Sequence, residues 1–217
     1  MRVLIIGGTG VLGGAVVREL AGRHDVLAAA RDTARGAAEA VDITAPDSIR
    51  TLFARVGPVD AVVVAAGGAR WKPLADLTDD DFAATLADKL MGQVNVTRLA
   101  LAGGAVRPNG SITLTSGALA QHPLPGTAAI SLVNAGLEGF ARAAALEAPN
   151  GIRVNVVSPG WVRETLAAMG RDPSPGVPAA DVARVYAESV EGAATGAVLA
   201  AYRPAAGAAP ERATPPR

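Results

Sequence analysis

The stretch VLIIGGTGVLGGAVVREL, residues 3–20, decides how the rest of the chain is read. An apolar run ends in glycines, and a pattern of helical period begins at once. Gly8, Gly10 and Gly13 are spaced G-x-G-x-x-G between a strand and a helix. In that setting the first glycine permits a tight turn, the second lets backbone approach a pyrophosphate, and the third lets helix and strand pack closely. The helix N-terminus then offers free N–H groups to an anion. Gly7, Gly8, Thr9, Gly10, Val11, Leu12 and Gly13 are therefore the first candidate cofactor contacts, with a purely structural glycine turn as the alternative.

Working outward, short β-branched runs alternate with longer Ala- and Leu-rich segments. Strands are expected at RVLIIG, DVLAAA, DAVVVAA, SITLTS, IRVNVVS and TGAVLAAY, and helices around 11–21, 46–56, 79–102, 128–148 and 180–191. Asp47 and Ser48 are expected to open the second helix, and Thr78 with Asp79–Asp81 the third. Strands apolar at nearly every position suit a parallel sheet covered on both faces. Repeated βα units predict one α/β domain, a single doubly wound parallel sheet with helices on both faces, over residues 1–202. The segment 203–217, RPAAGAAPERATPPR, is rich in Pro and Ala without apolar period and reads as a disordered tail.

Composition excludes several kinds of chemistry. The 217 residues carry 20 Lys and Arg against 20 Asp and Glu, and no run of like charge points to nucleic acid or an anionic membrane. The absence of cysteine removes disulfides, thiol catalysis and thiolate metal sites, and His24 and His122 alone make a multi-histidine metal site an unpromising expectation. Neither a leader nor a membrane span is expected from the apolar runs, which predicts a soluble, cytoplasmic protein.

The second strand bears on the choice of dinucleotide. A carboxylate there would hold a ribose 2′-hydroxyl, whereas an arginine accommodates a 2′-phosphate. In VLAAARDTARG, Arg31 comes first, then Asp32, with Arg35 a turn away, which favours NADP(H) over NAD(H). A solvated loop arginine is the plainer reading of Arg31.

Together these segments resemble the short-chain dehydrogenase/reductase family, a Rossmann-type fold, over about residues 2–202. The resemblance implies that Asp42 and Ile43, in AVDITAPDSIRTLF, lie near the adenine. VVVAAGGA stands where the family has Asn-Asn-Ala-Gly and keeps Ala66 and Gly67. In GIRVNVVSPGWV, Pro159 and Gly160 match the pair that wraps the nicotinamide, and TGAVLAAY resembles the final strand. Trp161 and Val162 follow as candidate contacts with Leu166, and Thr165 or Glu164 could reach the cofactor amide or phosphate.

The resemblance fails where the family does its chemistry. There, a Ser, a Tyr, a Lys four residues after the Tyr, and an Asn from an earlier helix polarise a carbonyl, donate a proton, bind the ribose and hold a water. Aligned on NAGLEGFARAAALE, the Lys position is Asn134 and the Tyr position is Ile130. In GSITLTSG the reactive Ser position falls on Gly117, with Ser116 one residue before it and available to a one-residue shift or to a turn. ADKLMGQVN puts Lys89 at the Asn position. A buried lysine can titrate near neutrality and act as an acid or base, although Lys89 also fits a helix-surface role beside Asp88. Asn134 could hydrogen-bond the ribose, and His122, in LAQHPLPG, lies on the loop before this helix. Lys89, Ser116, Asn134 and His122 are thus the candidate catalytic residues. Tyr186 and Tyr202 read as packing, too far along the chain to replace the missing Tyr.

Three functions stay open at this level. One is an NADP(H)-dependent oxidoreductase of a small, largely apolar carbonyl or alcohol with non-standard catalytic residues. A second is a non-redox isomerase, cyclase or dehydratase, and the third is a catalytically silent NADP(H)-binding module. The expected partner is a small-molecule substrate rather than nucleic acid or membrane. The resemblance implies that the long helices around 79–102 and 128–148 pair between subunits, and the small residues of 128–148 are compatible with a homodimer or homotetramer and equally with packing on the sheet.

Overall fold

The computed structural model describes residues 1–202; the segment expected as a tail lies outside them. Seven strands form one sheet, β1 (Arg2–Ile6), β2 (Asp25–Ala30), β3 (Glu39–Ala40), β4 (Val59–Val64), β5 (Val106–Thr115), β6 (Arg153–Pro159) and β7 (Val198–Ala201). Their order is β3-β2-β1-β4-β5-β6-β7, and each pairing is parallel. The doubly wound parallel sheet expected from sequence is the fold observed.

Helices α1 (Val11–Ala21), α2 (Pro46–Val56), α3 (Asp79–Thr85), α4 (Gly92–Ala102), α5 (Ala128–Glu147), α6 (Arg163–Ala168) and α7 (Ala179–Glu191) link the strands. Alternate residues of each strand feed opposite cores, as the two-residue pleat requires. Leu4, Ile6, Val62 and Val64 pack with Ile49, Leu52, Val96 and Leu137 under α2, α4 and α5. Val3, Ile5, Ala61 and Val63 pack with Val16, Leu20, Val182 and Tyr186 under α1 and α7. Two buried faces per strand explain why VLII, residues 3–6 of β1, is apolar throughout, each fully buried aliphatic side chain being worth about 1.5–3 kcal/mol.

The local departures have physical causes. Helix α2 is opened by Ala45, with Pro46 in its first turn, rather than by Asp47 and Ser48. Proline fits there because its missing N–H would have no helical partner. Ser48 instead accepts the Asp42 N–H at 3.0 Å, and Asp47 pairs with Arg50. Thr78 opens α3 as expected, in a reciprocal capping box with Asp81. The single helix expected over 79–102 is broken by a π-helical segment, Leu86–Met91, that contains Asp88 and Lys89. The short β3 and α6 were not expected. Strand β5 begins earlier than SITLTS and ends at Thr115, leaving Ser116 just beyond it.

Candidate active site

The carboxyl ends of β1, β2, β4, β5 and β6 open onto one edge of the sheet, where the strand order reverses around β1. Ligands of open α/β sheets bind in this position. A cavity of about 360 Å³ lies there, walled by Gly7 and Gly10, Arg31, Ile43, Ala66 and Asp88, with Thr9 and Gly67 also on its surface.

The glycines divide into two groups. Gly7 has φ +89, and a Cβ on it would stand 2.5 Å from the Ala65 carbonyl oxygen. A Cβ on Gly13 would stand 2.0 Å from the Gly7 carbonyl oxygen, so this glycine lets α1 press against the turn. Gly8 faces Ala28 in the same way, at 2.8 Å. Gly8 and Gly13 are therefore packing positions, whereas Gly7, Thr9 and Gly10 face the cavity. No side chain caps the start of α1, and no acidic residue lies in its first turn. Its first N–H groups have no helical partner, which suits an anion. The residues present therefore fit a dinucleotide: a narrow glycine cradle, an uncapped helix start and an arginine at the rim. Val11 is exposed at that start, and Leu12 leans onto the α1–α7 core.

Arg31 reaches over the cavity rim toward two carboxylates, Asp42 at 3.5 Å and Asp88 at 3.4 Å. Asp42 also accepts the Thr44 N–H at 3.0 Å and its hydroxyl at 2.8 Å. These bonds, the backbone one first, hold its carboxyl below the usual range, with Arg31 adding to the effect.

Behind the Gly67 wall of the cavity, α4, β5 and α5 meet. Lys89 is partly buried, and its ammonium donates to the Ser116 carbonyl oxygen at 3.2 Å. Loss of solvent lowers its pKa to about 8, against a weaker opposing pull from Asp88. The π-helical turn brings it there: Gly67 has φ +110, and a Cβ on it would be 2.9 Å from the Lys89 Cα. Such turns recur at functional sites because they re-aim one side chain within a helix.

Gln93, absent from the sequence-based candidates, locks this corner. Its amide donates to the Lys89 carbonyl at 3.2 Å and the Thr115 carbonyl at 3.0 Å, and accepts the Thr115 N–H at 2.8 Å. A long polar residue amid the apolar period of α4 was the available signal.

The Ser116 hydroxyl turns away from Lys89 and donates to Glu138 at 3.0 Å; the same carboxylate accepts Gln121. Ser116 thus meets the lysine through its backbone. Asn134 is buried, and its side-chain oxygen has no hydrogen-bond partner among the described residues. Its Nδ2 would be 2.9 Å from a Cβ on Gly117, so the amide occupies space left beside a residue without a side chain. An unpaired buried carbonyl is costly, and a ligand hydroxyl would satisfy it.

His122 is exposed and sets its ring edge-on to Tyr202, with centroids 5.7 Å apart. Tyr202 is not remote from the site, because β7 runs beside β6 and a Cβ on Gly160 would stand 2.8 Å from the Tyr202 Cβ. Tyr186 is a buried core residue; its hydroxyl bonds Thr115 at 2.7 Å, and burial pushes the phenol up.

Past Pro159 and Gly160, Trp161 stacks on Trp71 at 5.3 Å, and the Arg171 guanidinium covers Trp71 at 4.6 Å. Trp71, also missed in the sequence reading, joins the loop after β4 to this segment. Val162 is buried in the α1–α7 core. Glu164 is occupied by the Ala179 N–H at 2.9 Å, anchoring α7, and Thr165 is partly exposed on α6. Among the described residues, no group of acidic or histidine side chains could hold a metal ion, and no helix is long and apolar enough to cross a membrane.

Residues 12–201 match the sequence model of the family described as enoyl-(acyl carrier protein) reductase. The oxidoreductase UcpA of Escherichia coli K12 is 32% identical over 139 residues, covering 61% of this chain and 53% of that protein. The acetoacetyl-CoA reductase of Cupriavidus necator is 36% identical over 121 residues, covering 54% and 49%. The matched region thus spans about half the length of these curated relatives. Among solved structures, the protein lin1944 of Listeria innocua superimposes with a TM-score of 0.87 at 38% identity, covering 93% of this chain and all of that one. A small-chain dehydrogenase in complex with NADPH gives 0.78 at 25% identity, covering 92% and 95%.

Proposed function

The chain belongs to the short-chain dehydrogenase/reductase family, and from that premise we propose that it is an NADP(H)-dependent oxidoreductase using Lys89 as its proton-transferring group. Its substrate is a small, largely apolar carbonyl compound or the corresponding alcohol. The observation that carries this reading is a cavity with a glycine cradle and Arg31, whose Gly67 wall backs directly onto a desolvated lysine.

Bound in this cleft, a nicotinamide supplies or accepts a hydride. The chain's own groups do the rest. The N–H groups at the start of α1 bind the diphosphate, and Arg31 binds the 2′-phosphate. Ile43, Ala66 and Gly67 border the adenosine portion, with Asp42 behind them. Pro159, Gly160, Trp161 and Thr165 border the nicotinamide side. The free Asn134 oxygen accepts a ribose hydroxyl in place of the ammonium found in the family. Lys89 gives a proton to the carbonyl oxygen during reduction and takes it back during oxidation; a pKa of about 8 keeps both forms accessible near neutrality. Gln93 and the Ser116 carbonyl hold that lysine in place. Trp71 and Trp161 exclude water from the substrate side, and His122 and Tyr202 form its outer rim.

Titration with NADPH and with NADH, followed by heat, tests the cofactor half. The reading expects tighter NADPH binding, followed by turnover of ketones or enones. Binding of neither nucleotide would remove it. A second reading draws on the absence of any side chain at Gly117 and on Ile130 and Asn134 at the family's Tyr and Lys positions. It describes a nucleotide-binding module without redox turnover, and tight NADPH binding with no conversion of any carbonyl would favour it.

A further inference from the structure

The Arg31 guanidinium, which the reading above assigns to the 2′-phosphate, shares one nitrogen, Nη2, with two carboxylates. Asp42 stands 3.5 Å and Asp88 3.4 Å from that atom. Asp88 is fixed as well, because its second oxygen accepts the Gly68 N–H at 3.1 Å. Arg31 and Asp88 together form the wall between the glycine-lined cavity and a second one of about 440 Å³, bordered by Thr44, Gly68, Arg70 and Thr85. The arginine therefore lies across the rim as one side of a partition. With both carboxylates ionised, the trio carries one net negative charge, and Asp32 and Arg35 on the same rim cancel each other.

We propose that Asp88 is a specificity-determining residue that restrains NADPH binding by competing with the 2′-phosphate for Arg31. This rests on the cofactor reading above. A phosphate seated on Nη2 takes the place of one of these two carboxylates. NADH carries no 2′-phosphate and is indifferent to that competition. Asp42 is less able to yield, since Thr44 binds the same oxygen twice. Asp88 yields more readily because its Arg31-facing oxygen has no other recorded partner among the described residues.

The test is calorimetric titration of NADPH and NADH into wild type, Asp88→Asn, Arg31→Met and the double variant. Asparagine still accepts the Gly68 N–H, so the loop after β4 keeps its anchor while the charge is removed. Asp88→Asn is expected to tighten NADPH binding about tenfold, the gain shrinking with added salt, and to leave NADH within about twofold. In the Arg31→Met background the same substitution gives no NADPH gain. An unchanged NADPH constant, an equal change for both nucleotides, or a gain that survives loss of Arg31 would each overturn the inference while leaving the cofactor reading intact. Wild type that binds neither nucleotide would bring down the cofactor reading and the inference with it.

Discussion

The two ends of the candidate site, the glycine cavity and the corner around Lys89, are built on different terms. At the glycine end, side chains have been removed so that backbones can touch: Gly7 against Ala65, Gly8 against Ala28, Gly13 against Gly7. At the α4–β5–α5 end, polar side chains lie close together, and each fixes another: Gln93 the Lys89 and Thr115 backbones, Glu138 the Ser116 and Gln121 side chains. The first end tolerates almost no change because backbone cannot move aside. At the second, we propose that the residue types that carry the chemistry differ from the family's while the frame persists. Backbone geometry is the harder constraint, and side-chain chemistry is the part freer to change.

The largest expected effect belongs to the glycine end. Gly13→Ala drives a methyl into the Gly7 carbonyl and should cost about 3 kcal/mol or more, read as a lower urea midpoint. A midpoint unchanged by this substitution would mean that the close helix–turn contact is not a constraint. At the other end Lys89→Met should lower kcat about 10²–10⁴-fold while NADPH affinity stays within about twofold. Equal loss of both would make the lysine a folding residue. Gln93→Leu leaves the Thr115 N–H and carbonyl unpaired in the core and should cost about 1–3 kcal/mol. It should also reduce kcat more than KM, since it releases the turn that aims Lys89. The smallest effect is electrostatic. Asp88 holds the Lys89 pKa up, so Asp88→Asn should move the alkaline limb of the rate profile to lower pH by a fraction of a unit.

Legibility followed the same division. Short runs apolar at nearly every position and the G-x-G-x-x-G spacing are local patterns, and they placed β1, α1, the parallel sheet and the cavity's glycines. The π-helical turn at Leu86–Met91 leaves the apolar period of its helix almost undisturbed, so 79–102 read as one helix although its break is what delivers Lys89. Tyr202 looked remote because distance along the chain was taken for distance in space; parallel pairing sets the end of β7 beside the end of β6. The direction of the Ser116 hydroxyl, the stacking of Trp71 on Trp161 and the partition of Arg31 by Asp88 depend on contacts between segments far apart in sequence. No local period encodes them.

The central claim is that a desolvated lysine does the proton transfer, and the pH dependence of kcat for carbonyl reduction tests it most directly. Reduction requires the protonated ammonium, present below the Lys89 pKa and lost as pH rises through it. Wild type should therefore hold a plateau near neutrality and fall away with a limb near pH 8. The oxidative direction should show the mirror image, and the limb should vanish from the residual rate of Lys89→Met. A limb that persists unchanged in Lys89→Met would contradict the account and assign the proton to another group.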